Sequence, residues 1–329
     1  MPTGDRDTGD HDTADHDAVL LDLDGVVYAG DEAVAGAPEA LARLREQGTP
    51  VRFVTNNASR TPQQVAEKLL SVGVRAGAEE VLGSARAAAE LLADRVGLGA
   101  GSRVAVVGGV GLLRAVQEVG LEAVPVLEVV DRPGALVQGF SPDLGWTHLA
   151  AAASWVRHGV TWVASNLDLT IPTARGIAPG NGLLVHAVAE AAGRRPDFVA
   201  GKPEPFLFLS AARSASSSSP LVVGDRLDTD IAGGRAAGFA TALVLTGVHG
   251  LDDALDAAPD HRPDRVLLTL ADLFPSPTRV HADELTDRLH EAWRALDAPP
   301  VPDGAGPGAV AERDALRQEW SARLSPADP

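Results

Sequence analysis

Asp22 and Asp24 stand two residues apart at the end of the apolar run Ala18-Val19-Leu20-Leu21, with Gly25 directly behind them. On extended backbone, residues two apart face the same side, so both carboxylates point one way, and the glycine lets the chain turn sharply after them. Two anions held together favour a cation, and magnesium prefers oxygen ligands completed by water and phosphate. Asp225, which follows Leu221-Val222-Val223-Gly224, is the natural third carboxylate. A carboxylate nucleophile, a divalent cation and a lysine suit phosphoryl transfer, where catalysis is mostly positioning and neutralisation of charge. In that chemistry Asp22 attacks phosphorus, while Asp24 first protonates the leaving oxygen and later activates water.

The lysine is singled out by scarcity. Of 28 basic residues only Lys68 and Lys202 are lysine, the rest being arginine. Lys202 lies in Gly201-Lys202-Pro203, where a compact ammonium suits a point contact that a planar guanidinium does not. Thr55 and Asn56 follow the strand-like Val51-Arg52-Phe53-Val54.

These residues share a position: each ends a segment that reads as a strand, and in an open parallel sheet ligands gather beyond the carboxyl ends of the strands. The first strand runs from Ala18. A helix over Ala37 to Glu46 has Pro38 near its start, Leu41 and Leu44 turned inward and Gly48 as its stop. Strand, helix and strand with short connections describe a right-handed crossover, and the pattern returns at Leu221 to Val223 and Thr241 to Leu245. The expected class is α/β, with a Rossmann-like three-layer α/β/α core around a parallel sheet.

A second alternating set lies between the flanks. Strands at Val104 to Val107, Ala135 to Phe140 and Thr161 to Ala164 enclose helices near Leu112 to Val119 and His148 to His158, as in an inserted α/β module. After Leu273, two amphipathic helices follow. Leu285, Leu289, Trp293 and Leu296 share a face in the first, as do Leu316, Trp320 and Leu324 in the second, a pattern that predicts docking onto the main body. Residues 1–17 hold six Asp and read as a solvated acidic arm.

Composition excludes several functions. There is no cysteine, so thiolate metal sites and a cysteine nucleophile are out, and a reducing cytoplasm fits. A net charge of -17 opposes a nucleic-acid partner, because such affinity comes from Lys and Arg displacing counterions. No apolar run approaches the ~20 residues that span a bilayer, and the N-terminus is polar, so neither a membrane span nor a signal peptide is expected. Gly108-Gly109-Val110-Gly111 lacks the third glycine of a dinucleotide fingerprint, since position 114 is Arg114. Pro203 after Lys202 excludes a P-loop.

In their order, Asp22-Leu23-Asp24-Gly25-Val26, Val54-Thr55-Asn56, Lys202 and Gly224-Asp225-Arg226-Leu227-Asp228-Thr229-Asp230 resemble the four motifs of the haloacid dehalogenase superfamily. More narrowly, Thr55-Asn56-Asn57-Ala58-Ser59-Arg60 and Gly201-Lys202-Pro203 resemble the NagD-like branch, which includes p-nitrophenyl, pyridoxal and phosphoglycolate phosphatases. The resemblance implies Asp22 as nucleophile and metal ligand, Asp24 as acid/base and ligand through its carbonyl, and Asp225 as ligand. It implies that Thr55 and Asn56 hold phosphate, that Lys202 bridges nucleophile and phosphate, and that Asp230 supports the metal from behind or through water. Asp228 is given no firm role.

The same resemblance divides the chain into a discontinuous core, 18–82 and 183–273, an inserted cap, 83–182, that closes over the site, and a helical appendage, 274–329. Val137-Gln138-Gly139-Phe140-Ser141 and Ala164-Ser165-Asn166-Leu167-Asp168 resemble cap segments, with Ser165 where threonine is usual, and Ala178-Pro179-Gly180-Asn181-Gly182 resembles the return to the core. Asn166, Asp168 and Arg175 are candidates for facing the substrate; Arg175 would favour an acidic one, and the scarcity of aromatics favours a small polar ester. The implied protein is a magnesium-dependent phosphatase of a small phosphorylated metabolite, such as a sugar phosphate or phosphoglycolate, working through an aspartyl-phosphate on Asp22. A phosphomutase and a non-catalytic phosphometabolite sensor are the alternatives. The expected partner is a small-molecule phosphate ester, and the oligomeric state, a homodimer included, is left open.

Overall fold

A computed structural model of the chain describes residues 16–173, 176–274, 277–297 and 308–324. The acidic arm through residue 15, Arg175 and the proline-rich stretch 298–307 lie outside them.

The chain opens with β1 (Ala18–Leu21), the hairpin strands β2 (Tyr28–Ala29) and β3 (Glu32–Ala33), α1 (Ala37–Glu46) and β4 (Val51–Thr55). Then come α2 (Pro62–Ser71), β5 (Val81–Gly83), α3 (Ser84–Asp94), β6 (Arg103–Val107), α4 (Val110–Glu118), β7 (Glu122–Pro125) and β8 (Ala135–Gln138). They are followed by α5 (Trp146–Arg157), β9 (Thr161–Ala164), the hairpin strands β10 (Thr170–Thr173) and β11 (Gly176–Pro179), α6 (Asn181–Ala192), β12 (Phe198–Val199) and α7 (Phe206–Ser214). The last are β13 (Pro220–Gly224), α8 (Ala232–Ala236), β14 (Ala240–Val244), α9 (Leu251–Leu255), β15 (Arg265–Leu267), α10 (Pro277–Asp297) and α11 (Gly308–Leu324). This is the α/β class that the alternating pattern predicts.

The elements form two compact units, one holding the described residues up to Val51 and from Ala215 onward, the other Arg52–Ser214. In the first, β15, β14, β13 and β1 lie side by side, all parallel. Leu21 pairs with Val223, so Asp22 and Gly224-Asp225 leave neighbouring strands at the same level. All four residues of β1 are buried, as expected of a strand covered on both faces. Pro38 opens α1, which buries Ala37, Ala40, Leu41 and Leu44. The two C-terminal helices pack onto this unit: Leu285, Leu289, Ala292 and Trp293 of α10 and Leu316 and Trp320 of α11 share one core cluster with Leu243, Leu251, Leu255 and Val266. Each leucine so buried contributes about 1.5–3 kcal/mol relative to exposure.

In the second unit β4 pairs with β5, and β12, β9, β8, β6 and β7 form a parallel sheet in that order. Ala152 and Val156 of α5 and Val185 and Val188 of α6 pack with Leu136 and Trp162 of this sheet. A capping box starts α2: the Thr61 hydroxyl accepts from the Gln64 N–H while the Gln64 side chain accepts from the Thr61 N–H. Strands β7, β10, β11 and β15 have no counterpart in the sequence reading. They are three or four residues long, and Glu122, Pro125, Pro172, Pro179 and Arg265 interrupt the apolar pattern that would announce them. Among the described residues, no helix is long and apolar enough to cross a membrane.

Candidate active site

In the first unit, Asp22, Asp225 and Asp230 each place a ligand oxygen within 4.8 Å of the others. Asp22 leaves the end of β1 and Asp225 the end of β13, so the register of two parallel strands accounts for their meeting. Asp230 reaches the cluster by another route. Leu227–Ile231 is a π-helical turn, in which the Ile231 N–H donates to the Arg226 carbonyl five residues back. Such turns are rare and recur at functional sites. Its wide loop folds the Asp230 side chain back so that Oδ2 accepts from the Arg226 N–H at 3.2 Å.

Space for the Asp225 carboxylate is made by glycine. A Cβ on Gly25 would lie 2.4 Å from Asp225 Oδ2, one on Gly247 would lie 2.0 Å from it, and Gly25 also has φ +82°, where side chains are strained. The Val248 N–H donates to Asp225 Oδ2 at 2.7 Å, and the His249 N–H donates to the Asp225 carbonyl at 3.1 Å. Asp225 and Asp230 are 1 % exposed. Three carboxylates crowded in such a place repel one another unless a cation sits among them, and their all-oxygen, anionic donor set fits magnesium, with positions over for water and phosphate.

The neighbouring aspartates differ. Asp24 is exposed, its carboxylate outside this cluster, where it can exchange protons with solvent. Asp228 is also outside it: Arg226 donates to both its oxygens, Nε at 3.0 Å and Nη2 at 2.8 Å. Burial disfavours its ionised form, yet these bonds and the charge of Arg226 outweigh that and hold its carboxyl below the usual range.

In the second unit a polar group centres on Asn56, at the end of β4. Asn56 Oδ1 accepts from the Lys202 N–H at 2.8 Å, and Asn56 Nδ2 donates to the Lys202 carbonyl at 3.1 Å and to Asp168 Oδ1 at 3.0 Å. Lys202 is 4 % exposed, with Nζ 3.3 Å from the Val54 carbonyl. Gly201 permits this approach, because a Cβ there would lie 2.5 Å from Asn56 Oδ1 and 2.7 Å from the Ser165 carbonyl. Thr55 is buried, and its hydroxyl accepts from the Asn57 N–H at 3.1 Å. A nearly buried ammonium is costly unless negative charge accompanies it.

Asn166 and Asp168 belong to this group, and each has a side-chain hydrogen bond with Asn56. Asn166 Nδ2 donates to the Asn56 carbonyl at 2.8 Å, and Asn166 Oδ1 accepts from the Asp168 N–H at 3.2 Å. Two further side chains complete the arrangement and were not singled out from sequence. Ser84 Oγ donates to the Asn56 carbonyl at 2.6 Å, and Asn181 Nδ2 donates to the Asn166 carbonyl at 2.8 Å. Only the Asn181 segment carried a signal, in its resemblance to the return from a cap. Arg175 lies outside the described residues.

One group of strand-end residues is carboxylate-rich and the other is built on Thr-Asn and lysine, residue types that phosphoryl-transfer chemistry uses. A family profile described as haloacid dehalogenase-like hydrolase matches residues 19–122, and a HAD-hydrolase-like profile matches 199–273. The chain is 47 % identical over 245 residues to the D-glycerol 3-phosphate phosphatase of Mycobacterium tuberculosis, covering 74 % of this chain and 67 % of the relative. It is 37 % identical over 238 residues to the acid sugar phosphatase of Staphylococcus aureus, covering 72 % and 89 %. The crystal structure of a glycerol phosphate phosphatase from Mycobacterium tuberculosis in complex with magnesium superimposes with a TM-score of 0.77 at 40 % identity, over 94 % of this chain and 92 % of that one. The chain belongs to the haloacid dehalogenase-like hydrolases, and within them it is a phosphatase of the NagD-like branch.

Proposed function

We propose that this enzyme hydrolyses a small, polar phosphate monoester, of the glycerol phosphate or sugar phosphate class, with magnesium and through an aspartyl-phosphate on Asp22. The observation that carries the reading is the convergence of Asp22 with Asp225 and Asp230 at the strand ends. The named substrates of the two relatives support the substrate class. Asp22, Asp225 and Asp230 would hold the ion, with the Asp24 carbonyl contributing as the family resemblance implies. Magnesium, when bound, supplies positive charge that lets a carboxylate approach a phosphate dianion.

The residues of the chain do the rest. An Asp22 oxygen attacks phosphorus, the bond from phosphorus to the ester oxygen breaks, and the leaving oxygen takes the proton of the Asp24 carboxyl. Asp24, now ionised, takes a proton from water; that water attacks phosphorus, the bond to Asp22 breaks, and phosphate leaves with Asp22 regenerated. Thr55 and Asn56 hold the phosphoryl oxygens, and Lys202 supplies positive charge to them. Residues 83–182 form the cap that excludes water during the first step, and a cysteine-free enzyme of soluble metabolites suits the cytoplasm.

A panel of phosphorylated metabolites, assayed with magnesium and with excess chelator, tests the proposal. Glycerol phosphate or a sugar phosphate should be turned over with magnesium, and activity should fall to background with chelator and return on adding the ion. Full turnover in chelator, or hydrolysis of none of the panel, would remove the metal assignment or the substrate class respectively.

A further inference from the structure

Neither family profile reaches α10 or α11, and the mechanism above uses neither. Their contacts nevertheless lead to Asp225. We infer that the C-terminal helices are positioning elements for the metal loop, setting magnesium affinity by clamping α9, an inference that rests on reading the carboxylate cluster as a magnesium site.

Asp225 is held by the segment that joins β14 to α9. Its carboxylate accepts from the Val248 N–H at 2.7 Å, and its carbonyl accepts from the His249 N–H at 3.1 Å. His249 Nδ1 accepts from the Leu227 N–H at 2.8 Å, which ties the same segment to the π-helical turn carrying Asp230. Thr246 Oγ1 donates to the Gly25 carbonyl at 2.7 Å, so the backbone just after Asp22 and Asp24 is anchored there too. This one six-residue stretch thus fixes parts of all three carboxylate-bearing loops.

What fixes that stretch is α9, which begins directly after Gly250 and has only five residues. A helix so short is not stable alone, because nucleation costs more than its few hydrogen bonds return. Its stability has to come from tertiary contacts, and these come largely from the C-terminal helices. Leu251, Ala254 and Leu255 are buried in the cluster formed with Leu285, Leu289, Trp293, Leu316 and Trp320, and the π-turn residues Leu227 and Ile231 enter the same cluster. Polar contacts set the orientation. Trp293 Nε1 donates to the Ala254 carbonyl at 3.2 Å, in the last turn of α9, where that carbonyl also accepts from the Ala257 N–H. From α11, Arg317 reaches Asp252 at 2.6 Å and Asp256 at 3.0 Å, and Arg313 reaches Asp256 at 2.9 Å. These pairs are partly exposed, so each is weak singly, but together they grip both ends of α9.

A contrasting set of contacts separates positioning from mere stability. Arg323 of α11 pairs with Glu284 at 3.3 Å and Glu319 at 3.0 Å, joining the C-terminal helices without touching α9. Magnesium chloride titrated calorimetrically into metal-free full-length enzyme, well below the melting temperature, reads the difference. The Arg313→Met, Arg317→Met double variant should raise the magnesium dissociation constant roughly fivefold or more, with kcat at saturating magnesium within about twofold of wild type. Trp293→Phe, which keeps the ring but loses the donor, should move affinity the same way. Arg323→Met should lower the melting temperature and leave affinity unchanged. Unchanged affinity in both the double variant and Trp293→Phe, or an equal loss in Arg323→Met, would overturn the inference while the function stands; failure of wild-type enzyme to bind magnesium would overturn both.

Discussion

Replacing Asp22 with asparagine should lower turnover by on the order of 10⁴-fold or more, the scale seen when a covalent nucleophile is lost from a catalytic group that acts as a unit. Asparagine matches aspartate in size, and the backbone contact at this position, the Asp22 N–H to the Val223 carbonyl at 2.9 Å, does not involve the side chain. The parallel pairing of β1 with β13 is therefore retained, and a thermal melt should show a folded protein. An amide is a poor nucleophile and removes one negative charge from a cluster of three carboxylates, so both the covalent step and the hold on magnesium suffer. Steady-state assay on glycerol phosphate over a range of magnesium separates these effects: added magnesium repairs weakened binding but not a missing nucleophile. Recovery of more than about a hundredth of wild-type kcat at saturating magnesium would mean that Asp22 is only a ligand.

Lys202→Ala should reduce kcat roughly a hundredfold or more, as loss of a charge contact made in the transition state commonly does. The ammonium is nearly buried, and its backbone is fixed on both sides by the Asn56 amide, so no other cation can take its place without rebuilding that loop. Lys202→Arg should fail as well, because the larger planar group needs room and a different donor geometry. Lys68, the other lysine, lies on α2 and is only partly buried; Lys68→Ala should leave kcat within about twofold. Comparable losses for the two alanine variants would show that Lys202 is merely structural.

Legibility in the sequence followed the strength of the local signal. β1 and α1 are legible at their observed bounds because each couples an apolar run or face to a glycine, proline or carboxylate at its end, and β9 is legible from its apolar Trp162-Val163-Ala164 run alone. The run at Ala135 was read too long, to Phe140, whereas β8 ends at Gln138: periodicity sees an apolar tail but not where pairing with β6 stops. The aspartates and the lysine stood out because spacing and scarcity are visible in one dimension. The bonding of Asn56 to residues 112 and 146 positions away was not, nor was the π-helical turn, which depends on a hydrogen bond one residue longer than a helix provides. The amphipathic faces of α10 and α11 announced docking, but not that the partner would be the short helix beside Asp225.

The stereochemical course at phosphorus tests the covalent mechanism most directly. A phosphorothioate monoester made chiral with two oxygen isotopes, hydrolysed in water carrying the third, yields a thiophosphate whose configuration records the number of displacements. Attack by Asp22 followed by attack of water is two in-line displacements, each inverting, so the account predicts overall retention. Direct attack of water on the ester is a single displacement, and a product of inverted configuration would contradict an aspartyl-phosphate on Asp22.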